Sequence, residues 1–131
     1  MIRWSNGVFA SGALFNLLAG LPFLLLPQQM SVLLGATGSP LAYLFMQLTG
    51  GCVLLFGVIY ALISRDIRRF RPLILVGVAG KLTVVVLVWY YGFAGVLGLF
   101  LPLLVLADLL YGLLFLRAWW LKRLPKPDKT G

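Results

Sequence analysis

Two ionisable residues stand where an apolar chain should have none. Lys81 sits near the midpoint of 72–91, about twenty apolar residues, long enough to cross a bilayer. Asp108 sits inside a second long apolar run, 97–121. An ionised side chain at such a depth costs several kcal/mol unless it finds a partner. Each is the only ionised group well inside its own segment, so the two are expected to pair, with the bundle arranged around them.

The chemistry open to such a pair is narrow. A lysine and an aspartate beside a tyrosine, Tyr111, can in principle move protons in acid–base catalysis. A tight bridge opposes that role, because a catalytic group is usually kept partly unpaired or tuned. No catalytic residue is therefore assigned. Two readings of the pair stay open: a lock that fixes helix register, or the polar part of a ligand or proton site. Asn16, Gln47 and Tyr111, with Thr49, can fill the hydrogen-bond positions that remain. Lys81, Asp108, Asn16, Gln47 and Tyr111 thus form the expected buried polar centre. Taken singly, Asn16 and Gln47 read first as hydrogen bonds between helices.

Composition removes many alternatives. Of 131 residues, 62% are hydrophobic and 11% charged, whereas a soluble domain is about 45–50% apolar and about 25% charged. Lipid is the solvent this departure calls for. The chain has no histidine, which removes histidine-based metal sites, haem ligation by histidine and histidine-containing triads. Its one cysteine, Cys52, permits no internal disulfide and reads as a packing residue. The glycines follow no phosphate-loop pattern. No metal and no cofactor is expected. The net charge of +8 does not point to nucleic acid, because the basic residues lie in loops and tails.

Four spans must position the centre: 7–26, 41–63, 72–91 and 98–121. The first is longer than the apolar core of a signal peptide and lacks a convincing cleavage site. Gly12, Ala13, Ala19 and Gly20 surround Asn16 at helical spacing, a small face that lets another backbone approach. Pro22 is expected to bend the outer end of this helix or re-route it. In the second span, Gln47, Gly50, Gly51, Leu54, Val58 and Ala61 fall on one side. Between these spans, 27–40 reads as a short helix in the membrane interface, with Met30, Leu33 and Leu34 on one face, then a turn. Gly77, Val78, Val84, Val85 and Val88 flank Lys81, while Tyr111, Gly112 and Phe115 share the face of Asp108. Pro102 is either in the first turn of the last helix or a kink near its start. Trp89, Tyr90 and Tyr91 read as interfacial anchors. The expected fold is an all-α membrane protein, a four-transmembrane-helix bundle with a short interfacial helix between helices 1 and 2. It occupies 1–124, with a short cytoplasmic tail at 125–131.

Charge orients the bundle. Lys81 aside, the basic residues are Arg3, Arg65, Arg68, Arg69, Arg71, Arg117, Lys122, Arg123, Lys126 and Lys129. With four spans all of these lie on one side, and the connectors 27–40 and 92–98 carry none. The positive-inside rule then predicts both termini in the cytoplasm of a bacterial inner membrane. Lys81 is about nine residues, roughly 14 Å, from the cytoplasmic start of its helix. Asp108 and Asn16 reach the same middle third. Arg65, Arg68, Arg69 and Arg71 read as orientation signals that also meet anionic lipid, or as a docking surface for a partner.

The strings GGCVLLFGVIYALISRD, RPLILVGVAGKLTVVVLVWYY and ADLLYGLLFL resemble small four-helix bacterial inner-membrane proteins of unknown function, loosely DoxX-like. The resemblance covers about 47–116. It rests on a glycine-rich second helix ending in Arg65 and Asp66, on Gly80 and Lys81 in the third helix, and on Asp108 in the fourth. It implies a four-helix bundle and no particular activity. Small multidrug transporters are of similar length, but this first helix has no embedded glutamate and the orientation bias is strong.

Three functions follow as expectations. The first is a non-enzymatic inner-membrane protein that binds a lipid or other apolar molecule, or serves as an accessory subunit of a membrane complex. The second is an oligomeric proton-coupled transporter or channel. The third, ranked last, is an intramembrane acid–base enzyme on a lipid-like substrate. The expected partners are membrane lipids, with a membrane-complex partner or a second copy of the chain as further candidates, and no nucleic acid.

Overall fold

The computed structural model describes residues 4–35, 38–95 and 98–122. Arg3, Arg123 and the expected tail at 125–131 lie outside the described residues. Five helices follow in order: α1 (Trp4–Leu25), α2 (Pro27–Leu33), α3 (Pro40–Arg65), α4 (Arg71–Phe93) and α5 (Phe100–Lys122). The four long ones are each apolar enough to cross a membrane, and the short α2 lies between the first two spans. This is the expected all-α, four-span membrane bundle.

Helix starts and stops follow local chemistry. Pro27, Pro40 and Pro72 lie in first turns, where the missing N–H leaves no helical bond unmade. Ser39 caps α3, its Oγ accepting from Ala42 N at 3.1 Å. Two helices stop at left-handed glycines, Gly35 (φ 74°) after α2 and Gly95 (φ 76°) after α4, a conformation a Cβ would resist. Pro102 is the third residue of α5, so it belongs to the first turn. α1 runs through Pro22 and ends at Leu25.

The long helices form two tight pairs, α1 with α3 and α4 with α5, which meet each other less extensively. Small residues make the first pair. A Cβ on Gly50 would lie 2.7 Å from Gly20 O and 2.7 Å from Leu24 N, so the backbones touch there. Gly57 rests against Ala13 and Asn16. Three side-chain amides add polar rungs: Asn6 to Ser64 O (2.6 Å), Asn16 to Val53 O (3.0 Å) and Gln47 to Leu24 O (3.0 Å). In the second pair, Arg71 at the start of α4 donates Nε to Trp119 O at 3.1 Å. Its guanidinium lies 4.3 Å from the Trp119 ring centroid. These contacts place the start of α1, the end of α3, the start of α4 and the end of α5 together, here called the arginine end.

Two sequence expectations are corrected. The packed face of α3 runs through Gly50, Gly57, Tyr60 and Ile63, not through Gly51, Val58 and Ala61. Gly51 has open space where a Cβ would go, and Val58 is exposed. The expected face was turned by about one residue, because Leu, Ile and Val mark no side when lipid is as apolar as the core. Met30 of α2 and Leu34 just after it are buried, but Leu33 is exposed.

The core sits in the half of the bundle nearer the arginine end. Phe9, Ile63, Ile74, Phe115 and Ala118 are fully buried there. The Phe9 and Phe115 rings stack at 4.3 Å, and Tyr60 closes on Phe115 at 4.8 Å. Gly12 and Gly77 make room for this cluster: a Cβ on Gly12 would reach within 2.9 Å of Phe115, and one on Gly77 within 2.7 Å of Tyr60.

Candidate ligand site between the helix pairs

Lys81 arrives at mid-bundle on the buried stripe Ile74, Gly77, Val78, Lys81 of α4. It meets Asp108 of α5, with Nζ to Oδ1 at 2.5 Å, the one ion pair among the described residues. The same Nζ donates to Asn16 Oδ1 at 3.0 Å. Asn16 is fixed in turn, since its Nδ2 donates to Val53 O of α3. One ammonium therefore ties α4 to α5 through Asp108 and to the α1–α3 pair through Asn16.

Three rings complete the surroundings. The centroids of Phe15, Tyr60 and Tyr111 stand 5.1, 5.3 and 5.7 Å from Nζ. Contacts of this kind contribute about 2 kcal/mol or more when desolvated. The lysine side chain is only 3% exposed, while that of Asp108 is 17% exposed. The positive partner is enclosed and the negative one is partly open.

The opening leads into a cavity of about 340 Å³. Asn16, Lys81, Asp108 and Tyr60 form its floor, and Phe23, Phe45, Leu48, Phe56, Val84 and Leu104 are among the residues of its walls. From the floor it extends away from the arginine end. On α3 its wall carries Phe45, Leu48, Thr49 and Cys52, all exposed, so it opens sideways within the span. Below the floor, toward the arginine end, the aromatic core is closed.

The expected centre is assembled in part. Lys81, Asp108 and Asn16 share direct hydrogen bonds. Tyr111 is adjacent, but it offers its ring and not its hydroxyl, which donates to Ser11 Oγ at 3.0 Å. Gln47 is on an exposed face, bonded to Leu24 O, so it staples helix ends and does not complete the centre. The Thr49 hydroxyl lines the cavity while donating to Phe45 O at 2.8 Å. Tyr60 and Phe15 were not expected at the site. The helical step from Gly50 through Gly57 to Tyr60 was the available signal, hidden by the rotated face of α3.

The arginines divide. Arg65, Arg68 and Arg69 are exposed, whereas Arg71 is held against Trp119. Asp66 shapes the turn, its Oδ1 accepting from Arg69 N at 3.2 Å. No protein-family model, curated protein or solved structure matches the chain.

Proposed function

We propose that this chain is a multi-pass protein of a bacterial inner membrane, with both termini in the cytoplasm, that binds a lipid or other apolar small molecule inside its bundle. The cavity of about 340 Å³ carries the reading. Its volume lies within the range of about 300–1,000 Å³ common for ligand pockets, which are typically apolar with a few convergent polar groups. Its sideways opening favours molecules already dissolved in the bilayer. A purely structural lock would need no such space beside it.

The same geometry weighs against the other two activities. A pathway for ions or protons would have to continue past the pair, and the aromatic core closes that half. Acid–base catalysis would need a group free to exchange a proton; Lys81 is enclosed by Asp108, Asn16 and three rings, and Asp108, the member open to the cavity, is tied to Lys81 in a tight bridge. The exposed Arg65, Arg68 and Arg69 suit anionic headgroups at the cytoplasmic surface.

The test is retention. The chain is purified in mild detergent and its bound small molecules are identified by native mass spectrometry and solvent extraction. A stoichiometric apolar ligand is expected on the natural chain. It is expected to be absent from a folded Lys81→Met, Asp108→Leu double variant. A natural chain that neither retains nor takes up any added lipid would overturn the reading.

A further inference from the structure

Resting on the ligand-binding reading, we propose that the bound molecule is an amphiphile with an uncharged hydroxyl head, which donates its hydrogen bond to Asp108. The asymmetry of the ion pair leads there. Lys81 is 3% exposed and already has two oxygen acceptors and three ring faces around it. It offers little to an incoming anion. Asp108 is 17% exposed and lines the cavity. One carboxylate oxygen is 2.5 Å from Lys81, and an ionised carboxylate has about four acceptor positions over its two oxygens. What the floor presents to the cavity is acceptor capacity, and an acceptor is matched by a donor.

Charge balance then selects among donors. Lys81 and Asp108 together are neutral. An ammonium head would leave an uncompensated positive charge beside Lys81 at membrane depth, where ions are costly. A carboxylate or phosphate head would face Asp108 without a free donor. A hydroxyl satisfies the carboxylate and adds no charge. The other polar groups on the cavity wall do not alter this choice. Asn16 is engaged on both its oxygen and its nitrogen, the Thr49 hydroxyl is committed to Phe45 O, and the Cys52 thiol is a weak hydrogen-bonding group. Tyr60 is only 2% exposed, and its hydroxyl lies against Gly77 of α4, so the floor shows the cavity its ring. The tail of the amphiphile lies along Phe56, Phe45 and Phe23, away from the arginine end.

The experiment compares decanol, decylamine, decanoate and decane on the full chain. Binding is read by native mass spectrometry and by the shift in thermal unfolding. The detergent is dodecyldimethylamine oxide, whose head carries no hydroxyl to compete. Decanol is expected to bind once per chain, at least about tenfold tighter than the other three, the ratio that about 1.4 kcal/mol of selective contact gives. Asp108→Asn is expected to erase that preference. Because Asp108→Asn strands Lys81 and can unfold the chain, Leu104→Trp supplies a second variant that fills the cavity and keeps both charged residues, and it is expected to abolish decanol binding. Equal binding of decane and decanol overturns the hydroxyl assignment and leaves a generic apolar site. Tightest binding of decylamine or decanoate overturns it as well. Binding of none of the four overturns the ligand-binding reading itself. A dimer without bound probe identifies the cavity mouth as a contact between copies and overturns both.

Discussion

Asn16 and Lys81 join the two halves of this protein. The Asn16 amide oxygen accepts from Lys81 Nζ at 3.0 Å because its nitrogen is committed to Val53 O across the α1–α3 contact. The α4–α5 pair holds the lysine and the α1–α3 pair holds the asparagine; the pairs otherwise meet in the aromatic core around Phe9, Tyr60 and Phe115 and through the Tyr111–Ser11 hydrogen bond. A polar bond of this kind acts as a joint. It fixes how far apart the pairs stand, and the cavity is the space left above it.

Asn16→Leu tests the joint. It removes an acceptor from a buried ammonium and a donor from Val53 O. Stability is expected to fall by about 1–3 kcal/mol, the cost of leaving buried partners unsatisfied. Reversible unfolding in mixed micelles measures it, and a variant as stable as the natural chain would show that the two pairs are held by packing alone.

The ion pair predicts a non-additive cycle. Lys81→Met and Asp108→Leu should each cost about 3–5 kcal/mol, because each strands the opposite charge. The double variant should recover most of that loss, since apolar groups of similar volume replace a neutralised pair. Additive losses in the same unfolding assay would mean that the two side chains do not depend on each other.

Two adjacent glycines should behave in opposite ways. Gly50→Ala places a Cβ 2.7 Å from backbone atoms of α1, which cannot swing aside. Gly51→Ala places one in open space. The first is expected to separate α1 from α3 and cost more than about 1–3 kcal/mol, the range of ordinary overpacking. The second should be neutral or stabilise by about 0.5–1 kcal/mol, the helix preference of alanine over glycine. Equal effects at the two positions would return α3 to the rotation expected from sequence.

That rotation shows which features a sequence in lipid reveals. The four spans were legible because length and apolarity alone define them, and their observed ends lie within a few residues of the expected ones. The Lys81–Asp108 pair was legible because an ion at membrane depth has few available partners. Asn16 was legible as a polar atom on a small face. The face of α3 was not, since Val58 and Val53 are equally at home against lipid or protein. Tyr60 at the floor, the ring rather than the hydroxyl of Tyr111, and the cavity all depend on that rotation. Gln47 was misplaced for a different reason: the Leu24 carbonyl near the end of α1 is within its reach, so its amide is satisfied without a buried ion.

Charge and packing make different demands on the arginines, and this separates Arg71 from Arg68. Arg71 lies over the Trp119 ring and donates to Trp119 O, so it joins the start of α4 to the end of α5. Arg68 is exposed on the turn. Arg71→Ala is expected to lower stability by about 1–3 kcal/mol, because a stacked, hydrogen-bonded guanidinium is lost. Arg68→Ala should leave unfolding unchanged and weaken association with vesicles rich in anionic lipid, by about 1 kcal/mol per charge near the surface. The same charges govern orientation. Green fluorescent protein fused after Gly131 should fluoresce, and alkaline phosphatase inserted in the 27–40 connector should be active, as expected if the termini face the cytoplasm. If Arg68→Ala destabilises as much as Arg71→Ala, the turn is a structural element and not a lipid contact. Phosphatase activity from a fusion after Gly131 would invert the bundle and place the cavity mouth in the cytoplasmic leaflet.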